Sequence, residues 1–207
     1  MIKEKKYDSP AQATISGIAS LFRRRERVGV LKPDERLDGK RVLIDGSSSG
    51  LGLATAIELA KLGAEVIMAV RSGIPEKREE VKKRSGSDKV FIHHVDFSDL
   101  DSIANLVKEI KEVYGKIDIL ICNAAVVAKK SIKTKSGLEQ MFMVNYLSKF
   151  FFVRELLKKN CFNNEGSVVP RIIFVTSESH RNPKEFRWEE FGKFIPHSIG
   201  NTMELYG

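Results

Sequence analysis

A doubly wound α/β domain built on a parallel sheet is the fold this sequence predicts, and three observations predict it. Short β-branched apolar runs alternate with longer helical patterns from residue 41 onward. The runs are nearly continuous rather than alternating, as suits strands covered on both faces. A glycine-rich turn joins the first run to the first helical pattern, where such folds bind phosphate. Length and composition agree: 207 residues, 42% hydrophobic and 30% charged, suffice for one domain with a substantial core.

Residues 1–38 form a basic N-terminal extension, with ten Lys/Arg against six Asp/Glu within the first forty positions. Ile15, Ile18, Ala19 and Phe22 share a face at helical spacing, and "RRRER" follows at 23–27. A basic amphipathic helix of this kind suits an anionic membrane surface or a docking partner; packing on its own domain, with the arginines in water, is the favoured reading. The net charge is +8, without aromatic interleaving or a recognisable binding module, so nucleic acid is not an expected partner. No run approaches the roughly 18 to 20 apolar residues of a spanning helix, and "MIKEKKYDSPAQ" lacks the apolar core of a secretory signal. Cytoplasm is therefore the expected compartment. Cys122 and Cys161 stand far apart, in no metal-ligand spacing, and read as reduced, buried thiols.

Residues 39–207 read as the domain proper. "RVLID" (41–45), "EVIMAV" (65–70), "KVFIHHV" (89–95), "IDILIC" (117–122) and "RIIFVT" (171–176) read as strands. "LGLATAIELAKLG" (51–63) is helical and stops at Gly63. "SDLDSIANLVKEIKEVYG" (98–115) opens with Ser98 as its expected cap and ends at Gly115. The segment 137–160 is a long, mostly apolar helix suited to lying against the sheet. His93 and His94 are neighbours in a strand, so they face opposite sides and cannot share an ion; no metal site is expected.

The turn itself is "DGSSSGLG", residues 45–52. Gly46 permits a tight turn, Gly50 lets the backbone approach a diphosphate, and Gly52 lets the helix pack closely on the strand. Ser47, Ser48, Ser49 and Leu51 complete the loop, and amides at the helix N-terminus face the anion. This is a Rossmann-type arrangement, in the spacing G-x-x-x-G-x-G.

With four later segments in order, the turn resembles the short-chain dehydrogenase/reductase family. "CNAA" at 122–125 is similar to the family's Asn-Asn-Ala-Gly motif, with Cys122 and Ala125 as departures, and places Asn123, Ala124 and Ala125 at the cofactor. "GLEQMFMVNYLSKFFF" resembles the helix whose structural-catalytic asparagine falls on Asn145. "IIFVTSESH" resembles the strand that ends at the catalytic serine, here Ser177, with Ser179 a second hydroxyl two residues on. Tyr206 stands where the tyrosine of Tyr-x-x-x-Lys would. The Ser-Glu-Ser-His wording and the long interval to Tyr206 most resemble the branch of retinol dehydrogenases, the WW-domain oxidoreductase and protochlorophyllide reductase.

The resemblance implies a strand order 3-2-1-4-5 with helices on both faces and an NAD(P)-binding domain over 39–207. It also implies interconversion of a carbonyl and an alcohol by hydride transfer, with Ser177 stabilising the developing alkoxide and Tyr206 moving the proton. A phenol with an ordinary pKa of about 10 needs help, which the family draws from a lysine four residues further on. That position follows Gly207, so an incomplete C-terminus is expected, with later strands missing and the fifth strand left as an exposed sheet edge, and a nucleotide-binding module without turnover is the alternative. Arg71, one residue past the place of a ribose-binding acid, favours NADP(H) over NAD(H). Asp96 and Phe97 match the family's pair beside the adenine. Asp45 departs from the usual threonine and is expected to point away from a diphosphate into a turn hydrogen bond. The expected partner is a small carbonyl or alcohol substrate. The aromatic segment 180–205 suits either a lipophilic pocket wall or an insertion packed on the domain. Homo-oligomers are expected of a full-length form.

Overall fold

The structure is a computed structural model and describes residues 32, 34–165, 169–177 and 188–196. The basic helix expected before residue 32 lies outside them. The described elements run β1 (Arg41–Asp45), α1 (Gly50–Lys61), β2 (Glu65–Val70), α2 (Glu76–Ser85), β3 (Val90–His94), α3 (Leu100–Tyr114) and β4 (Ile119–Cys122). A π-helical turn (Phe142–Leu147) then leads into α4 (Ser148–Lys158), followed by β5 (Arg171–Phe174) and a 3-10 turn (Trp188–Glu190).

The five strands form one parallel sheet in the order β3-β2-β1-β4-β5, as the resemblance implied. Successive side chains of each strand point to opposite faces, and this period divides the core in two. Val42, Ile44, Val66 and Met68 pack beneath Leu53, Ala56, Ile57 and Ala60 of α1 and Val81 of α2. Leu43, Ile67 and Leu120 pack on the other face against Ile103, Leu106, Val107 and Ile110 of α3 and Phe152 and Leu156 of α4. Helices thus cover both faces of β1, β2 and β4. Among the described residues, no helix is long and apolar enough to cross a membrane.

Three details depart from the expectations. Helix α2, "EKREEVKKRS", has Val81 as its one buried residue, so it carries no apolar periodicity from which to read it. Helix α3 is capped by Asp99, whose side chain accepts the Asp101 amide, rather than by Ser98; the Ser98 hydroxyl instead donates to Asp96. The helix expected over 137–160 opens with a π-helical turn, and the chain before it makes a bridge between Lys133 and Glu139. Strand β5 agrees with its expectation: it lies at the sheet edge and is exposed at all four positions.

Candidate nucleotide and catalytic site

The chain leaves β1 toward β2 and leaves β4 toward β5, so the sheet order reverses between β1 and β4. Open α/β sheets bind ligands at the carboxyl ends of strands flanking such a switch point. Both the glycine-rich turn after β1 and the Asn123–Ala125 segment after β4 lie there.

The turn is locked by close approach. Gly46 adopts φ +62°, and its amide donates to Ala69 O at 3.0 Å. A Cβ at Gly46 would lie 2.6 Å from Ala124 Cα, and one at Gly52 would meet the Gly46 carbonyl oxygen and lie 2.5 Å from Asn123 Nδ2. Gly50, at φ +53°, faces open space. Ser49 makes no side-chain cap to α1, and no acid stands in the first turn, so that turn presents its amides to the opening with a favourable dipole. Ser47 is buried and donates to Ile44 O at 3.2 Å, while Ser49, Gly50 and Leu51 are exposed. A cradle closed to a side chain on its inner wall and open at Gly50 fits a phosphate group better than an apolar ligand.

Asn123 ties β4 to this turn, donating from Nδ2 to Asp45 O at 3.2 Å and to Gly46 O at 3.1 Å. Asp45 does point away from the turn, but into the protein rather than into a turn bond. Its Oδ1 accepts the amides of Asn123 (2.7 Å) and Ala124, and its Oδ2 lies 2.8 Å from Lys149 Nζ. Lys149 also stands 4.1 Å from the centroid of the Phe97 ring. Sequence reasoning missed Lys149; its signal was a lone charge in the apolar run "YLSKFFFV". Beside the pair, burial first and Asp45 second push the Cys122 thiol up to about 12, which makes it inert.

The remaining expected residues fall as follows. Arg71 is exposed directly after β2. Asp96 accepts the Ser98 amide at 2.8 Å and hydroxyl at 2.7 Å, which shapes the loop after β3. Phe97 is buried, and its ring packs edge-on against Phe152 at 5.5 Å. Ala125 is exposed. Asn145 lies in the π-helical turn, where Val126 occupies both ends of its amide: Oδ1 accepts the Val126 amide at 2.8 Å and Nδ2 donates to its carbonyl at 2.9 Å. This bridge holds the Asn123–Val126 segment against the helix. Ser177 is exposed three residues past β5. Tyr206 lies outside the described residues.

Two other groups are placed elsewhere. Phe191 packs on Phe142 at 4.9 Å and on Tyr146 at 5.7 Å, so this part of the aromatic segment caps the π-helical turn; Phe186 lies outside the described residues. His93 binds Glu109 through Nδ1 at 2.9 Å and the Tyr114 hydroxyl through Nε2 at 2.8 Å, on the edge strand β3.

A family model described as short chain dehydrogenase matches residues 40–187. Human retinol dehydrogenase 13 is 33% identical over 82% of the chain and 51% of the relative, and the chicken WW domain-containing oxidoreductase is 33% identical over 70% and 34%. Barley protochlorophyllide reductase B is 40% identical over 56% of the chain and 30% of the relative. The chain therefore spans about half or less of these relatives' lengths. Among solved structures, an uncharacterized protein from Mycobacterium paratuberculosis superposes with a TM-score of 0.64 at 27% identity, over 83% of this chain and 58% of that one. The NADPH-dependent 3-quinuclidinone reductase of Rhodotorula rubra gives 0.60 at 23% identity, over 88% and 68%, a likeness of fold. With the matched family model extending across the sheet and the glycine-rich turn, this chain belongs to the short-chain dehydrogenase family of oxidoreductases.

Proposed function

We propose that the chain is the cofactor-binding part of an NADP(H)-dependent oxidoreductase that interconverts a carbonyl and an alcohol. The observation that carries this reading is the cradle at the switch point, where Gly46 and Gly52 admit no side chain against Asn123 and Ala124 and the first turn of α1 is open. The diphosphate is held by the amides from Ser48 to Leu51, and Asp96 and the Phe97 backbone border the adenine. When bound, the nicotinamide supplies or accepts the hydride.

Three of the chain's own residues take part. Asn145 fixes the backbone after β4 through Val126. The Ser177 hydroxyl donates to the carbonyl oxygen and stabilises its growing charge. Tyr206 delivers the proton to that oxygen in reduction and accepts it in oxidation. The retinol dehydrogenase relatives favour a lipophilic substrate for the whole protein.

Arg71, exposed where β2 ends beside the site of the adenine ribose, supports NADP(H) through a charge-assisted bond to the 2′-phosphate. Fluorescence titration with NADPH and NADH tests this. Arg71→Ala is expected to weaken NADPH about tenfold, worth about 1.4 kcal/mol, and to leave NADH within about twofold. Equal losses for both cofactors would reject the assignment of Arg71 and the NADP(H) preference with it.

A further inference from the structure

The Asp45 carboxylate is wholly buried beneath the glycine-rich turn, and the Lys149 ammonium that faces it at 2.8 Å is buried almost as completely. Burying either charge without the other is strongly unfavourable. Each atom of the pair has a task. Oδ1 holds the amides of Asn123 and Ala124, Oδ2 holds Nζ, and Nζ lies over the Phe97 ring. One carboxylate therefore ties the carboxyl ends of β1 and β4 together, and the lysine fastens that tie to the first turn of α4, 104 residues along the chain.

The position of this tie gives its charge a consequence. The turn above it is the one that receives a diphosphate on the reading given above, and an uncompensated carboxylate at that depth would repel an arriving anion through a medium of low dielectric. The Cys122 thiol faces the pair from β4, but burial keeps it protonated, so it adds no charge.

Resting on the nucleotide reading, we propose that Lys149 is a positioning residue for dinucleotide binding. It neutralises Asp45 and, through Asp45, holds Gly46, Asn123 and Ala124 in the arrangement that accepts the diphosphate. The lysine acts through the carboxylate and not by contact with the reacting atoms.

The test uses the full chain with three variants: Lys149→Met, Asp45→Asn, and the neutral pair Asp45→Asn/Lys149→Gln, in which an amide-to-amide hydrogen bond replaces the ion pair. Two quantities are read, the NADPH affinity by fluorescence titration and, without ligand, the hydrogen exchange of the Asn123 and Ala124 amides. Each single variant leaves one buried charge uncompensated, so each is expected to lose about tenfold or more in affinity and to exchange those amides faster. The neutral pair should return to within about threefold of the wild type in both. A Lys149→Met chain that fails to fold while the neutral pair folds and binds gives the same support, since charge balance separates them. Wild-type affinity in Lys149→Met would overturn the proposal. So would a neutral pair as weak, or as poorly folded, as Lys149→Met, because packing on Phe97 and not charge would then be the cause. A wild-type chain that protects the two amides but binds no NADPH would instead overturn the cofactor reading, and the exchange rates alone would then decide the tie.

Discussion

At the scale of single residues, the site depends on atoms that are missing. Gly52 packs against the Gly46 carbonyl and the Asn123 side chain, and an added methyl has nowhere to go because both neighbours belong to the same hydrogen-bonded unit. Gly52→Ala is expected to cost about 1–3 kcal/mol by overpacking and to abolish NADPH binding, measured by thermal melting and titration. Asn145→Ala removes both bonds to Val126 and should cost a similar amount, about 1–3 kcal/mol in denaturant unfolding; a loss below about 0.5 kcal/mol would mean that the bridge is solvent-equivalent. Gly46, Gly52 and Asn145 were legible in the sequence because each breaks a local preference: glycines crowd a strand–helix junction, and an asparagine interrupts an apolar helix. Lys149 breaks one too, yet a lysine in a helix reads as a side chain reaching for water. Its partner is distant in sequence, and spacing along one element cannot reveal a bond between two.

At the scale of elements, the N-terminus of α3 couples charge to stability. Asp99 caps the helix through the Asp101 amide and pairs with Lys135 at 2.9 Å. The Lys135 hydrogen bond first, then the bond from the Asp101 amide, hold its carboxyl below the ordinary range. A carboxylate with a lowered folded pKa contributes stability that is present above the unfolded value of about 3.9 and is lost as pH falls through the folded one. Unfolding measured from neutral pH into acid should therefore show a decline below about pH 4 that is shallower in Asp99→Asn, which keeps a capping oxygen but cannot titrate. Identical slopes would show that the pair contributes nothing. The choice between Ser98 and Asp99 as cap was not legible, since both residue types cap helices and Asp96, two residues upstream, decides by claiming the serine hydroxyl. Helix α2 was hidden for the opposite reason: nine of its ten residues escape burial, so solvent and intrinsic propensity shape it more than packing does. The strands of the sheet centre were legible because burial on both faces leaves a continuous apolar signature.

At the scale of the whole molecule, the sheet is asymmetric. β1, β2 and β4 are enclosed between helices, while Ile172, Ile173 and Phe174 of β5 are exposed at the edge. An exposed apolar edge strand pairs readily with another chain. The 207-residue chain is expected to self-associate with rising concentration in sedimentation velocity, and Ile173→Lys should shift it toward monomer; a wild-type chain that stays monomeric would place this edge under cover. The strand order, both helical layers and the exposed edge at β5 agree with what the sequence and its family resemblance imply, although the apolar run of β5 taken alone reads like that of a central strand. The central claim concerns the switch point between β1 and β4, and one measurement tests it most directly: calorimetric titration of the purified chain with NADPH, beside Gly52→Ala. Saturable binding of one dinucleotide per chain, lost in Gly52→Ala, is the expected result. No binding by the wild type, or equal binding by both chains, would contradict the account.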